Sequence, residues 1–163
     1  MAGAGVPDLH TLAAGKKVVI IATHWHEQVM EGLIAGAKRA CQDAKADFEV
    51  VRVPGSFELP LAAKAYAESG KADALVCLGV VIRGGTPHFD YVCDAATYGL
   101  TKVSVESAIP LGFGLLTCDN VEQALDRAGL ESSHEDKGYE AVQAALAMVQ
   151  VLAQAQKLSL IHI

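Results

Sequence analysis

The run VVIIAT, from Val18 to Thr23, limits the possible folds of this chain more than any other stretch. Its residues do not alternate apolar with polar, so a strand made from them is covered on both faces, as in a parallel sheet with helices above and below. The next stretch has a different period. After His24-Trp25-His26, Val29, Met30, Leu33, Ile34, Ala37 and Ala40 recur at helical spacing opposite Glu27, Glu31, Lys38 and Arg39. That pattern predicts an amphipathic helix from Glu27 to Ala44.

The alternation then repeats along the chain. A second strand, Phe48 to Val53, is ended by Pro54-Gly55, and a second helix follows to Ser69 with Ser56 offered as its N-cap and Glu58 in its first turn. Ala72 to Ile82 reads as a third strand, broken by Arg83-Gly84-Gly85. Thr86 then supplies an N-cap oxygen, Pro87 fits the first helical position and His88 the second, opening a helix to Val105 with Val92, Ala95, Ala96 and Leu100 on one side. LGFGLLT from Leu111 is the fourth strand, with Gly112 and Gly114 permitting close approach of another backbone. Asn120 or Asp119 caps a helix through Arg127, stopped by Gly129. LESSHED is a polar connection to a last helix, Tyr139 to Gln154, apolar enough all round to be buried on most faces. Residues 1–15 show no period and read as a flexible arm, and the order of the tail 158–163 is left open.

Strands alternating with helices call for a parallel sheet with right-handed crossovers, and ligands in such sheets bind beyond the carboxyl ends of the strands. Three features of this chain obey that rule. Trp25 follows the first strand, Gly55 to Glu58 the second, and Gly84 to His88 the third. A glycine turn entering a helix presents free N–H groups and a positive dipole end, which suit an anion such as phosphate. An imidazole stands beside it. Together these features suit a planar heterocycle with a phosphorylated co-substrate. The plainer alternative is that Trp25 only packs and His88 is a solvated residue of a capped surface helix.

Composition narrows the function further. At 163 residues one domain is expected, and the 52% hydrophobic content against 20% charged points to surface covered by other subunits. A formal net charge of -6 disfavours nucleic acid and anionic membranes as partners, which leaves small molecules. The four cysteines are widely spaced without a C-x-x-C, as expected of buried free thiols in a reducing cytoplasm. His24 and His26 lack a third ligand at metal spacing, so no metal is expected. No stretch has the length of a membrane span or the layout of an export signal.

Four long motifs carry a resemblance. VPGSFELP (Val53 to Pro60), GVVIRGGTPHFDYV (Gly79 to Val92), GFGLLTCDNVEQALDRAG (Gly112 to Gly129) and DKG (Asp136 to Gly138) closely resemble the 6,7-dimethyl-8-ribityllumazine synthase family. The similarity runs from Pro7 to Leu152 and looks closest to the actinobacterial branch. It implies a flavodoxin-like three-layer sandwich, α/β, around a four-stranded parallel sheet flanked by helices. The implied reaction joins 5-amino-6-ribitylaminouracil to 3,4-dihydroxy-2-butanone 4-phosphate without a cofactor, the penultimate step of riboflavin biosynthesis. By this resemblance Trp25 stacks on the pyrimidine, while Ser56, Phe57, Glu58, Val80, Val81 and Ile82 hold the ribityl chain and ring edge. Gly85 and Thr86 receive the phosphate, and His88 moves protons. Phe113, Arg127 and Lys137 match positions that the family brings from an adjacent subunit or to the same pocket, Arg127 on phosphate. Gly85 and His26 depart from the family, which often has a larger residue at the first and, in other branches, Asn at the second.

The family includes pentamers and icosahedral shells. LESSHED is longer than the matching turn of shell-forming members, and its Glu131, Glu135 and Asp136 would repel their counterparts between pentamers, so a homopentamer with shared sites is expected. Riboflavin synthase is the protein partner that the resemblance suggests. Two other readings remain open: a lumazine- or flavin-binding module without catalysis, and a shell protein.

Overall fold

The computed structural model describes residues 4–9 and 11–161. Strands β1 (Lys17–Thr23), β2 (Asp47–Val53), β3 (Ala74–Ile82) and β4 (Leu111–Cys118) form one sheet in the order β2-β1-β3-β4, with every pairing parallel. Ile20 stands opposite Val50 on one side and Val76 on the other, and Cys77 opposite Phe113. The helices are α1 (Glu27–Asp43), α2 (Leu59–Glu68), α3 (His88–Ser107), α4 (Val121–Asp126) and α5 (Lys137–Ile161). This is the flavodoxin-like strand order, with two helical layers enclosing the sheet.

Because side chains alternate across a strand, the continuous apolar runs feed two separate cores. Val18, Ile20 and Ala22 of β1 join Val76, Leu78 and Val80 of β3 beneath α1 and α5, packed with Met30, Leu33, Val142 and Leu146. Val19 and Ile21 join Leu75 and Cys77 on the other face, with Leu59, Ala63, Ala96 and Leu100 of α2 and α3. Val18 to Thr23 is buried throughout, whereas β2, an edge strand, is exposed or half-buried over most of its length. Each large aliphatic side chain so buried contributes about 1.5–3 kcal/mol relative to exposure.

Several boundaries differ from the sequence expectation. Ser56 is not an N-cap: Gly55 takes the extended cap position, Ser56 to Glu58 forms a 3₁₀ turn, and α2 begins at Leu59. The Ser56 side chain is instead buried, and its Oγ lies 3.0 Å from where a Cβ on Gly79 of β3 would be. β3 begins two residues later than expected, at Ala74 rather than Ala72. α5 continues past Gln154 through Ile161, because no glycine or proline interrupts it; His162 and Ile163 lie outside the described residues. Of α5, Ala141, Val142, Ala145 and Leu146 are buried while Met148 and Val151 are exposed, so within one chain only one side is covered. Asn120 is the residue that caps α4, its Oδ1 accepting from the Gln123 N–H at 2.9 Å. Near the amino end, the Ala13 N–H donates to the Ala44 carbonyl at 2.7 Å and Gln143 Nε2 to the Leu9 carbonyl at 2.8 Å.

Close approach holds the α1, β4 and α5 layers together. A methyl group at Gly138 of α5 would overlap the Leu33 carbonyl of α1, and one at Gly112 of β4 would overlap the Ala141 carbonyl of α5. At Gly84 a methyl would meet open space. Gly138→Ala is therefore expected to lower stability by about 1–3 kcal/mol, as overpacking does, and Gly84→Ala by almost nothing. Denaturant midpoints at constant slope measure both; equal midpoints for the two variants would contradict the packing described.

Candidate active site

All four strands end at one edge of the sheet, and the connections that leave β1, β2 and β3 there enclose a cleft of about 320 Å³. One wall is built on the turn after β1. Trp25 is 66% exposed, and His26 adopts a left-handed conformation at φ 60, ψ 67. Histidine is one of the few non-glycine residues enriched in that region. Arg52 of β2 holds this turn from below: its Nη2 donates to the Thr23 carbonyl at 2.8 Å and lies 3.2 Å from Glu27 Oε1. His24 Nδ1 meets the same Glu27 oxygen at 3.3 Å.

The floor comes from β2 and β3. Gly55 fits beside the indole because it has no Cβ; one added there would lie 3.1 Å from Trp25 Nε1. The 3₁₀ turn presents Phe57 and Glu58 to the cleft above buried Ser56, and Val80, Val81 and Ile82 line it from the end of β3. His88 opens α3 at the rim with an exposed ring. Its backbone N–H donates to Thr86 Oγ1 at a long 3.4 Å, but Pro87 rather than Thr86 takes the cap position, with no side-chain cap bond, so His88 is the first residue of α3 and not the second as expected from Thr-Pro-His. The positions where Cβ atoms of Gly84 and Gly85 would stand are open, which leaves room over the start of α3.

The structure thus gathers Trp25, Ser56, Phe57, Glu58, Val80, Val81, Ile82 and His88 around one cleft. Gly85 and Thr86 adjoin it through the connection to α3 and do not line it. Gly55, which the sequence placed in the same turn, also lines the cleft, and the sequence argument missed two lining residues, His26 and Val92. Val92 was legible, since it stands one helical turn after His88.

Phe113, Arg127 and Lys137 lie elsewhere in the chain. Phe113 pairs with Cys77, three residues before Val80 along β3, and is 46% exposed over a separate groove with Leu100, Val105 and Leu111. Arg127 Nη1 donates to the Gln123 carbonyl at 2.9 Å, and its Nε lies 3.5 Å from Glu135. Lys137 Nζ sits 3.0 Å from Glu135 and 2.9 Å from Glu140, with its side chain only 13% exposed. Burial pulls the Lys137 ammonium down, but hydrogen bonds to Glu140 and Glu135 outweigh it and leave it above its ordinary value. Burial pushes the Cys41 and Cys77 thiols up to about 12, so neither is a nucleophile near neutrality. Among the described residues no group of three His, Cys, Asp or Glu could hold a metal ion, and no helix is long and apolar enough to cross a membrane.

A flavodoxin-like sheet with an aromatic wall and a histidine at its carboxyl edge defines an α/β protein with a cleft at the strand ends, the place where ligands of such sheets bind. Comparison with known proteins narrows that class. Residues 15–153 match the family model of 6,7-dimethyl-8-ribityllumazine synthase. The enzyme of that name from Kocuria rhizophila is 63% identical over 150 residues, spanning 90% of this chain and 95% of its own. That of Streptomyces avermitilis is 58% identical over 154 residues (93% and 95%), and that of Cutibacterium acnes 59% over 155 (94% and 92%). The chain belongs to the 6,7-dimethyl-8-ribityllumazine synthase family, transferases of riboflavin biosynthesis.

The connection after α4 carries a pH-dependent contact. Asp126 Oδ1 accepts from the His134 N–H at 3.1 Å and meets its Nδ1 at 2.5 Å. The side-chain hydrogen bond to Asp126 raises the imidazole, and the same bond, helped by the backbone N–H, lowers the carboxyl. The His134 contribution is complete below the ordinary imidazole value and fades as pH rises through its folded value. That of Asp126 is complete above the ordinary carboxylate value and fades as pH falls through its folded one. His134→Ala should therefore lower Tm most near about pH 5, below the ordinary imidazole value, and progressively less as pH rises through the folded value. A Tm difference that grew with pH would reverse the assignment.

Proposed function

We infer that this chain, a single lumazine-synthase-like domain, condenses 5-amino-6-(D-ribitylamino)uracil with 3,4-dihydroxy-2-butanone 4-phosphate to 6,7-dimethyl-8-ribityllumazine, releasing phosphate and water. The observation that carries the reading is the cleft in which an exposed indole, a β3 wall and the imidazole at the start of α3 face one another, in a chain of this family. Trp25 stacks on the pyrimidine. The segments Ser56 to Glu58 and Val80 to Ile82 hold the ribityl chain and ring edge, and the Gly85–Thr86 turn receives the phosphate at the dipole of α3.

The substrate amine attacks the ketone and water leaves to give a Schiff base; phosphate is then eliminated, and after tautomerisation the ring closes with loss of a second water. Each step moves a proton, and His88 is the exposed base and acid at the rim. Holding two substrates in register supplies much of the acceleration, so the histidine is one contributor among several. No metal or organic cofactor takes part in this scheme.

Among the described residues of one chain, Phe113 lies over a separate groove and Arg127 is not among the residues that line the cleft. A homopentamer in which each cleft borrows Phe113 and Arg127 from a neighbour supplies an aromatic lid and a phosphate-binding guanidinium, with Lys137 near the same pocket. Exposed apolar residues on α3 and α5, including Tyr98, Val105 and Val151, support association. A cytoplasmic location agrees with four cysteines that carry no disulfide.

Mixing both substrates and following lumazine fluorescence tests the activity; binding of the pyrimidine without product would favour the binding-module reading. His88→Ala is expected to lower kcat by about ten- to a hundredfold with pyrimidine binding intact, read by quenching of the single tryptophan. An unchanged kcat at saturation would remove His88 from the chemistry. Arg127→Lys should raise KM for the phosphorylated substrate more than for the pyrimidine, because lysine cannot copy a two-pronged guanidinium contact. Equal rises would argue against a phosphate role. Sedimentation at neutral pH should give a pentamer, and a particle of shell size would overturn that assignment.

A further inference from the structure

The side chain of Arg83 has no role in the scheme above, yet it touches three chain segments at the edge of the cleft. Arg83 follows the last residue of β3, and its N–H continues the ladder by donating to the Cys118 carbonyl at 2.9 Å. From there the guanidinium folds over the ring of buried Phe89 in the first turn of α3, 4.4 Å from the ring centroid. Nη1 lies 3.6 Å from Asp90 of the same turn, and Nε donates to Asp119, just past β4, at 3.0 Å. Asp119 is itself fixed to α4, its N–H donating to Gln123 Oε1 at 2.7 Å. One planar cation therefore ties the end of β3 to the start of α3 and to the end of β4.

The segment it closes needs such a tie. Gly84 and Gly85 carry no side chain and have open space beside them, so side-chain packing does not hold this turn, and the bonds of His88 N–H to Thr86 Oγ1 and Asp90 N–H to the Pro87 carbonyl tie it only to its own near neighbours. Flexible glycines pivot readily, and a displacement of about 1 Å between reacting groups can cost a hundredfold in rate. We propose that Arg83 is a positioning residue: by stacking on Phe89 and pairing with Asp90 and Asp119, its guanidinium fixes the Gly84–Thr86 turn and His88 against Val80 to Ile82. This rests on the activity inferred above. Arg83 is not itself the phosphate ligand, because two carboxylates already face its single charge.

A positioning role and a direct phosphate contact make opposite forecasts for Asp119. If Arg83 held phosphate, Asp119→Asn would free the guanidinium and leave phosphate affinity unchanged or improved. As a clamp, Arg83→Gln and Asp119→Asn each lower kcat/KM for the phosphorylated substrate by about tenfold, and the double variant loses no more than either alone. KM for the pyrimidine stays within about twofold, since Trp25 and Ser56 to Glu58 stand on other turns. Arg83→Lys recovers part of the loss, keeping the charge without the planar stack. The Arg83 side chain is about half exposed and those of Asp90 and Asp119 mostly so, and the variants fold. Unchanged kinetics, additive losses, or a loss in Arg83→Gln without one in Asp119→Asn overturn the clamp. Amide exchange over residues 84–90, measured without substrate, accelerates roughly tenfold in Arg83→Gln if the clamp holds and is unaltered if it does not. A wild-type chain that forms no lumazine would sink the activity, and the exchange measurement would still decide the clamp.

Discussion

The pairing of β1 with β3 is the constraint on which the cleft depends. In the order β2-β1-β3-β4 the chain leaves β1 toward β2 on one side and leaves β3 toward β4 on the other, so the connections diverge above that pair. A crevice at the strand ends follows from connectivity alone. The register from Val18 against Ala74 to Ala22 against Leu78 then fixes how far β3 runs past β1, and that overhang brings Val80 to Ile82 level with the turn that carries Trp25. Double-sided burial of both strands makes this placement rigid. A slip of one residue would exchange every side chain between the two cores.

The basic side chains named above follow a consistent pattern, two beside the cleft (Arg52 and Arg83) and two away from it (Arg127 and Lys137). Arg52, Arg83, Arg127 and Lys137 are each engaged with at least one carboxylate of their own chain. What the cleft offers an anion by itself is backbone polarity at the start of α3, which needs no counter-charge and is not titrated away. The guanidinium groups meanwhile brace turns: Arg52 the one that bears Trp25, and Arg83 the one that leads to His88. Individually such exposed pairs contribute little to stability. Their worth is geometric.

The order of strands and helices was legible because the periods are strong: uninterrupted apolar runs for β1 and β3, helical spacing for α1, and punctuation by Pro54-Gly55 and Gly84-Gly85. The convergence of Trp25, the Ser56 turn and His88 followed from the rule that parallel sheets place ligands at their carboxyl ends. What could not be read was tertiary. Ser56 has the residue type of an N-cap, but Gly79 on β3 opens a space that buries it, a contact between residues far apart in sequence. His26 lines the cleft because of a backbone conformation that no periodicity reveals. The length of α5 was underestimated because its apolar end resembles no capped terminus, yet nothing in it stops a helix either.

That left-handed residue between Trp25 and α1 also restricts how this family can vary by descent. A branched aliphatic side chain there would strain the backbone and tilt the indole, whatever its effect on packing, whereas asparagine, aspartate, glycine or histidine can occupy the position at little cost. Lineages can exchange these residues without passing through a broken intermediate. Position 26 should therefore look chemically permissive across species while being conformationally narrow, a filter on shape that leaves polarity free to drift.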